Sequence, residues 1–177
     1  SLRPMWSPDS KWISYQKRLK SLLSAVAVYS VDSGQSHMIT DGLSDARYAT
    51  WDRKGKFLYF AASNDVAQTL MGLDMGATNR PVTRSLYVVV LSKTEPSPLA
   101  PESDEEKIDA KKEEKKEDKK DEKVTVTIDL EGISQRILPL PVPPRNYSDL
   151  NTGKTGILFY LESPVIGAGN PGPQAVV

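Results

Sequence analysis

An aromatic–turn–strand motif occurs twice in this sequence, 45 positions apart. The first copy, WSPDSKWISYQ, begins at Trp6, and the second copy, WDRKGKFLYFA, begins at Trp51. In each copy the aromatic residue ends one strand, four or five turn residues follow, and a second strand begins at Trp12 or Phe57. Each copy therefore has the pattern of a β-hairpin, and the repeat predicts an all-β chain built from similar units.

The turn residues have conformational roles. Pro8 presets φ for a turn, Asp9 can bond the backbone two residues on, and Gly55 can supply a positive φ. Ser7 and Asp9 could instead form a reactive cluster, but the second copy has Asp52 and Lys54 at these positions, which favours the turn. We expect the aromatic side chains to pack between neighbouring units rather than to line a peptide-binding surface. The residues assigned to the structural repeat are Trp6, Pro8, Asp9, Trp12, Tyr15, Trp51, Gly55, Phe57, Phe60, Tyr147 and Phe159.

Two further strands complete each unit. In the first unit they are SAVAVYSV at 24–31 and QSHMIT at 35–40, with a DSG turn between them. Four short strands in a period of about 45 residues are typical of a propeller blade. The pattern predicts a partial β-propeller of two to three four-stranded antiparallel blades with a charged, disordered insertion. Residues 17–25 fit either a short helix or a basic loop.

The repeat sets the predicted domain boundaries. The first blade covers 1–46, and a second covers 47–92 plus 124–142, where the later part supplies an outer strand or hairpin. A further blade starts in 143–163, with Tyr147 at the position of the tryptophan. A Pro/Ser-rich and then Glu/Lys-rich insertion covers 93–123, and a Gly/Pro-rich tail covers 164–177.

The charged run at 102–123 contains 11 acidic and 8 basic residues. Opposite charges four positions apart would support a helix, whereas like charges oppose it. Every pair of charged residues at that spacing in the run is like-signed, as in Glu113–Glu117 and Lys115–Lys119. With almost no apolar residue to bury, the run is predicted to be solvated and disordered, and a docking tail is the alternative.

Composition excludes several classes of site. The chain has no cysteine and one histidine, His37, so thiolate chemistry and a His-rich metal site are excluded. No serine lies in a G-x-S-x-G motif, and no catalytic, cofactor-binding or metal-binding residue is assigned. A net charge of zero and the lack of a long apolar run give no indication of a nucleic-acid or membrane partner. A cytoplasmic and a periplasmic location both remain open.

The segments YFAAS, SLYVVVLSK and IDLEGISQRILPLPVPPRNYSDL, together with the WSPD-type repeat, resemble the end of the second propeller of tricorn-like serine peptidases. The resemblance covers roughly residues 5–163 and implies a parent enzyme with PDZ and catalytic domains. The catalytic serine and histidine of that family would follow this segment, so none is assigned here. The resemblance also implies a propeller channel that filters unfolded peptide.

Two functions from different classes follow. The first is a non-catalytic scaffold and channel wall of a tricorn-like peptidase, whose partners are the remaining blades, the PDZ and catalytic domains and unfolded peptides. The alternative is a stand-alone TolB-like propeller that acts as a protein-interaction scaffold. A homo-oligomer stays open in both cases. That the chain is itself a hydrolase is disfavoured, because only His37 could serve as an imidazole base.

Overall fold

The computed structural model describes residues 2–65, 69–70, 73–74, 82–100, 124–163 and 174–176. The predicted disordered run at 102–123 lies outside these residues. The first repeat forms a four-stranded antiparallel sheet in sequence order. Its strands are β1 (Met5–Trp6), β2 (Trp12–Arg18), β3 (Ser24–Ser30) and β4 (Ser36–Met38).

A second four-stranded antiparallel sheet follows, in the order β10-β9-β6-β5. Its last strand comes from the far side of the charged run and pairs Leu138 with Val88. A short 3₁₀ helix, Ile133–Arg136, precedes that strand. The strands of this sheet are β5 (Asp45–Trp51), β6 (Phe57–Ser63), β9 (Ser85–Val90) and β10 (Ile137–Pro139), while the strands β7 (Thr69–Leu70) and β8 (Leu73–Asp74) pair separately.

The third sheet has three strands in the order β11-β12-β13. They are β11 (Tyr147–Thr152), β12 (Leu158–Glu162) and β13 (Gln174–Val176), the last within the segment predicted as a tail. The chain is therefore all-β and has the architecture of a partial β-propeller, as the repeat predicted. Among the described residues no helix is long and apolar enough to cross a membrane.

The second sheet is covered on both faces. Leu58 and Phe60 belong to the core shared with the first sheet, which also contains Val26 and Val28. The next residue, Ala61, belongs to a second core with the third sheet. Because side chains alternate across a strand, the continuous apolar run FLYFAA can fill both cores at once. The residues of the second core are Ala61, Leu86, Tyr147 and Leu150.

The structure decides between alternatives that the sequence left open at two places and corrects the alignment at a third. Residues 17–25 contain no helix: they end β2, turn and begin β3. The segment after the charged run supplies one outer strand rather than a hairpin. Pairing places Thr152, not Tyr147, at the tryptophan position, since Thr152 lies opposite Leu158 as Trp51 lies opposite Leu58.

Candidate functional site

The first strands of the three sheets lie side by side and form a surface that we call the inner-strand wall (β1, β5 and β11). In a propeller, the first strand of each blade lies nearest the central axis. Two hydrogen bonds connect these strands. The indole Nε1 of Trp51 donates to the carbonyl of Met5 at 3.0 Å, and the Thr152 hydroxyl donates to the carbonyl of Trp51 at 2.6 Å.

The wall repeats an unusual backbone conformation. Arg3, Tyr48 and Asp149 have positive φ values of 39, 60 and 50°. Each lies three residues before the last strand residue of its hairpin, and the pairing register of β5 and β11 shifts at this point. Such a conformation is costly for residues other than glycine, asparagine and aspartate, so its occurrence at Arg3 and Tyr48 marks a structurally constrained position.

The three side chains at these positions meet. Arg3 forms an ion pair with Asp149, and its Cζ lies 4.9 Å from the centroid of the Tyr48 ring. Arg84 approaches the same ring at 5.8 Å. A guanidinium within about 6 Å of an aromatic face is attracted by the ring quadrupole. The contact therefore joins the first and third sheets across the second.

Two open cavities flank this contact. One of about 280 Å³ is lined by Arg3, Tyr48, Asp149 and neighbouring residues of all three inner strands. The other, of about 300 Å³, lies toward the hairpin turns and includes Trp6 and Asn151. All three sheets thus contribute to the concave surface of the wall.

The Ser7–Asp9 pair is a turn. The Ser7 hydroxyl donates to Asp9 Oδ1 at 2.6 Å and accepts from the backbone N–H of Trp12 at 2.9 Å. Burial alone would raise the pKa of Asp9, but hydrogen bonds from Ser7 and from the N–H groups of Val126 and Lys11 hold that pKa below its usual value. A buried hydroxyl next to a carboxylate of low basicity is suited to fixing a turn rather than to activating a nucleophile.

The chain returning from the charged run lies across the turns of two sheets; we call residues 124–129 the return segment. The N–H of Val126 donates to Asp9 Oδ2 at 2.8 Å. A Cβ added to Gly55 would lie 2.4 Å from Val126 Cγ2. Asp129 bonds the carbonyl of Leu91, and its own carboxylate accepts from the N–H of Lys93 at 2.6 Å. That bond from Lys93 is the largest of the influences that lower the pKa of Asp129.

The residues assigned to the repeat have different environments. Trp51, Phe60 and Tyr147 are buried, and Trp12 packs against the first core. Trp6 is 58% exposed and Phe159 is 41% exposed, so neither is buried between the sheets of this chain. Tyr15 and Phe57 are half-buried; Pro8 is exposed at the first turn, Asp9 is half-buried beside it, and Gly55 is buried at the second turn.

The single histidine has a peripheral position. His37 is half-buried on the outermost strand of the first sheet, with its ring centroid 6.5 Å from that of Trp12. No group of three or more His, Asp or Glu side chains within the described ranges is placed to hold a metal ion.

Sequence reasoning did not identify Arg3, Tyr48 and Asp149. A signal existed for the first two, since Arg3 and Tyr48 are separated by the same 45 positions as the tryptophans. Their residue types differ, however, and neither type indicates a positive φ. The meeting of the three side chains depends on how the sheets pack, which the hairpin pattern does not specify.

Comparison with known proteins finds sequence similarity to tricorn-like proteases. A Tricorn-like protease C-terminal subunit of Sulfurisphaera tokodaii is 26% identical over 94% of this chain, which covers 17% of that protein. Tricorn protease homolog 1 of Streptomyces coelicolor is 40% identical over 50% of this chain and is covered to 8%. The chain thus spans less than a fifth of the length of these curated relatives.

The crystal structure of the tricorn protease matches 93% of this chain with a TM-score of 0.62 at 20% identity, and 15% of that structure is covered. At this identity the match shows the fold. No family model matches the sequence.

Proposed function

The chain is homologous to a segment of tricorn-like proteases, and on this premise we propose that it is a non-catalytic propeller segment that forms scaffold and channel wall in such a peptidase. The catalytic groups would then belong to another part of the parent protein. The observation that carries the proposal is the inner-strand wall, on which β1, β5 and β11 present a concave surface with polar and charged groups.

A wall of this kind can select substrates by access. Arg3, Tyr48 and Asp149 offer charge, hydrogen bonds and an aromatic face, none of which requires one particular peptide sequence. A channel lined in this way would admit an extended chain and exclude a folded one because of its width. The ion pair and the two strand-to-strand hydrogen bonds would keep that width constant.

The test uses the full-length parent protein and two substrates, a long unfolded protein and a short blocked fluorogenic peptide. Asn151 is exposed on the innermost strand of the third sheet. Asn151→Trp should narrow the channel and slow cleavage of the unfolded protein severalfold more than cleavage of the short peptide. Met38, exposed on the outermost strand of the first sheet, supplies the control, and Met38→Trp should leave both rates unchanged.

Equal effects of Asn151→Trp and Met38→Trp on the two substrates would contradict the channel role. A parent protein without peptidase activity that binds another protein through the propeller would instead favour the stand-alone scaffold.

A further inference from the structure

A polar cavity of about 230 Å³ lies between the first and second sheets, apart from the two cavities of the inner-strand wall. Its volume is several times the roughly 30 Å³ that one water molecule occupies in the liquid, so it can hold a side-chain-sized group. The residues that line it are Leu2, Gln16, Arg18, Ser24 and Arg47.

Gln16 gives this cavity an unmet hydrogen-bond donor. The residue is 8% exposed, and its Nε2 is buried with no acceptor among the described residues. Buried amide nitrogens almost always have a partner, because losing hydration without a compensating bond is unfavourable. A ligand that places an acceptor in the cavity would satisfy this nitrogen.

The charged groups around the cavity favour an anion. Arg18 and Arg47 contribute guanidinium groups, each with five N–H donors and no acceptor. One carboxylate lies behind them: Asp45 is fully buried, with Oδ2 2.6 Å from Arg47 Nε, and its Oδ1 accepts from the N–H of Ser24 at 2.9 Å. Arg84 lies 3.9 Å from the same Asp45 oxygen. The residues that line the cavity therefore include two guanidinium groups and no carboxylate.

We propose that this cavity binds the carboxylate of a polypeptide, presented either by a C-terminus or by an Asp or Glu side chain. A planar carboxylate matches the fork of a guanidinium, and its second oxygen can accept from the Gln16 amide or the Ser24 hydroxyl. The buried Asp45 charge would repel a dianionic phosphate more than a monoanion. The site is independent of the channel role, since it involves a different cavity and no transport step.

The experiment measures binding to the full-length protein by titration calorimetry with four probes. They are a blocked tripeptide amide with a glutamate side chain, a blocked tri-alanine with a free C-terminus, its C-terminal amide, and inorganic phosphate. At least one of the two carboxylate peptides should bind. Binding of the glutamate peptide indicates a side-chain carboxylate, and binding of the tri-alanine with a free C-terminus indicates a terminal one. The amide should not bind. Binding of phosphate alone, or of no probe, would overturn the proposal.

Variants of Gln16 test whether the measured binding takes place in this cavity. Gln16→Leu should lower the affinity for the carboxylate peptide about tenfold, as expected for a lost hydrogen bond to a charged group. Gln16→Glu should place a carboxylate in the site, raise the unfolding temperature of the unliganded protein and abolish binding. Gln35→Leu, at an exposed glutamine between β3 and β4, should bind like wild type.

Binding by Gln16→Leu at wild-type affinity would overturn the assignment. So would a lower unfolding temperature for Gln16→Glu, because a site built for an anion should accept one supplied by the chain itself. The unfolding temperatures also verify that each variant is folded, and none of these readouts depends on peptidase activity.

Discussion

The carboxylate of Asp9 accepts a 2.8 Å hydrogen bond from the N–H of Val126, which lies 117 positions later in the chain. The bond links the first hairpin turn to the return segment on the far side of the charged run. The same carboxylate holds its own turn through Ser7 and Lys11. One side chain therefore fixes a local conformation and a long-range contact.

Replacing Asp9 should destabilise the protein. Hydrogen bonds to a charged group contribute about 1.5–3 kcal/mol each, and partial exposure reduces that value, so we expect Asp9→Ala to lower the free energy of unfolding by about 1–3 kcal/mol. Urea denaturation of the full-length protein measures this change in the free energy of unfolding. Asp32→Ala, at an exposed turn residue of the same sheet, should change stability by less than about 0.5 kcal/mol. Equal losses for both variants would contradict the assigned role.

The low pKa of Asp9 makes its contribution depend on pH. The pKa of this carboxyl lies below the usual 3.8, so the folded state favours the charged form. The stabilisation is therefore fully present above 3.8 and is lost as the pH falls through the lower folded-state pKa. The difference in unfolding free energy between wild type and Asp9→Asn should be constant near neutral pH and shrink with acidification below about pH 4. A difference that stays constant down to about pH 2 would contradict the assignment.

Substitution of two glycines by alanine should distinguish the cost of backbone strain from the cost of steric overlap. Gly55 and Gly132 have nearly equal φ values, 67 and 65°, but an added Cβ meets Val126 only at Gly55 and has open space at Gly132. Gly132→Ala should cost about 1–2 kcal/mol from strain alone. Gly55→Ala should cost about 1–3 kcal/mol more, because the return segment must move.

Thermal unfolding of the two glycine variants gives the comparison. In the Gly55→Ala background, Val126→Ala should cost less than in wild type, since it removes the overlapping methyl groups. Equal costs for the two glycine variants would show that the return segment does not press on this turn.

The two repeat tryptophans that end inner strands should differ in their importance for stability. Trp51 is 4% exposed and donates to the Met5 carbonyl, whereas Trp6 is 58% exposed. Trp51→Phe keeps an aromatic ring but loses the N–H, so it should destabilise by about 1–3 kcal/mol. Trp6→Phe should stay within about 0.5 kcal/mol of wild type. Urea denaturation measures the free energy of unfolding of both variants. A larger loss of stability for Trp6→Phe than for Trp51→Phe would contradict this prediction.

The strands that begin the second half of each hairpin could be predicted from the sequence. β2 starts at Trp12 and β6 starts at Phe57, as the repeat indicated. This works because turn residues and side-chain alternation act over a few neighbouring positions. The third hairpin was misaligned because its aromatic residue, Tyr147, lies at the start of β11 and not at its end, where Thr152 pairs at the equivalent position. Pairing depends on both strands, and a sequence motif contains only part of that information.

Contacts between distant segments could not be predicted in the same way. Neither the bond from Val126 to Asp9 nor the meeting of Arg3 with Tyr48 follows from a local pattern. Both depend on the relative placement of whole sheets, which is determined by how the two apolar cores fill. Gln16 and Arg47 are brought to one cavity by the same packing.

The return segment also affects how the polypeptide could be divided. Residues 124–163 dock on the rest of the fold through β10 pairing with β9, through the Val126 contacts and through the second core. None of these contacts depends on an unbroken peptide link through the charged run. Two pieces separated between Ala100 and Val124 should therefore assemble when co-expressed, as in fragment complementation, so this position is suited to genetic splitting or to the insertion of a reporter domain.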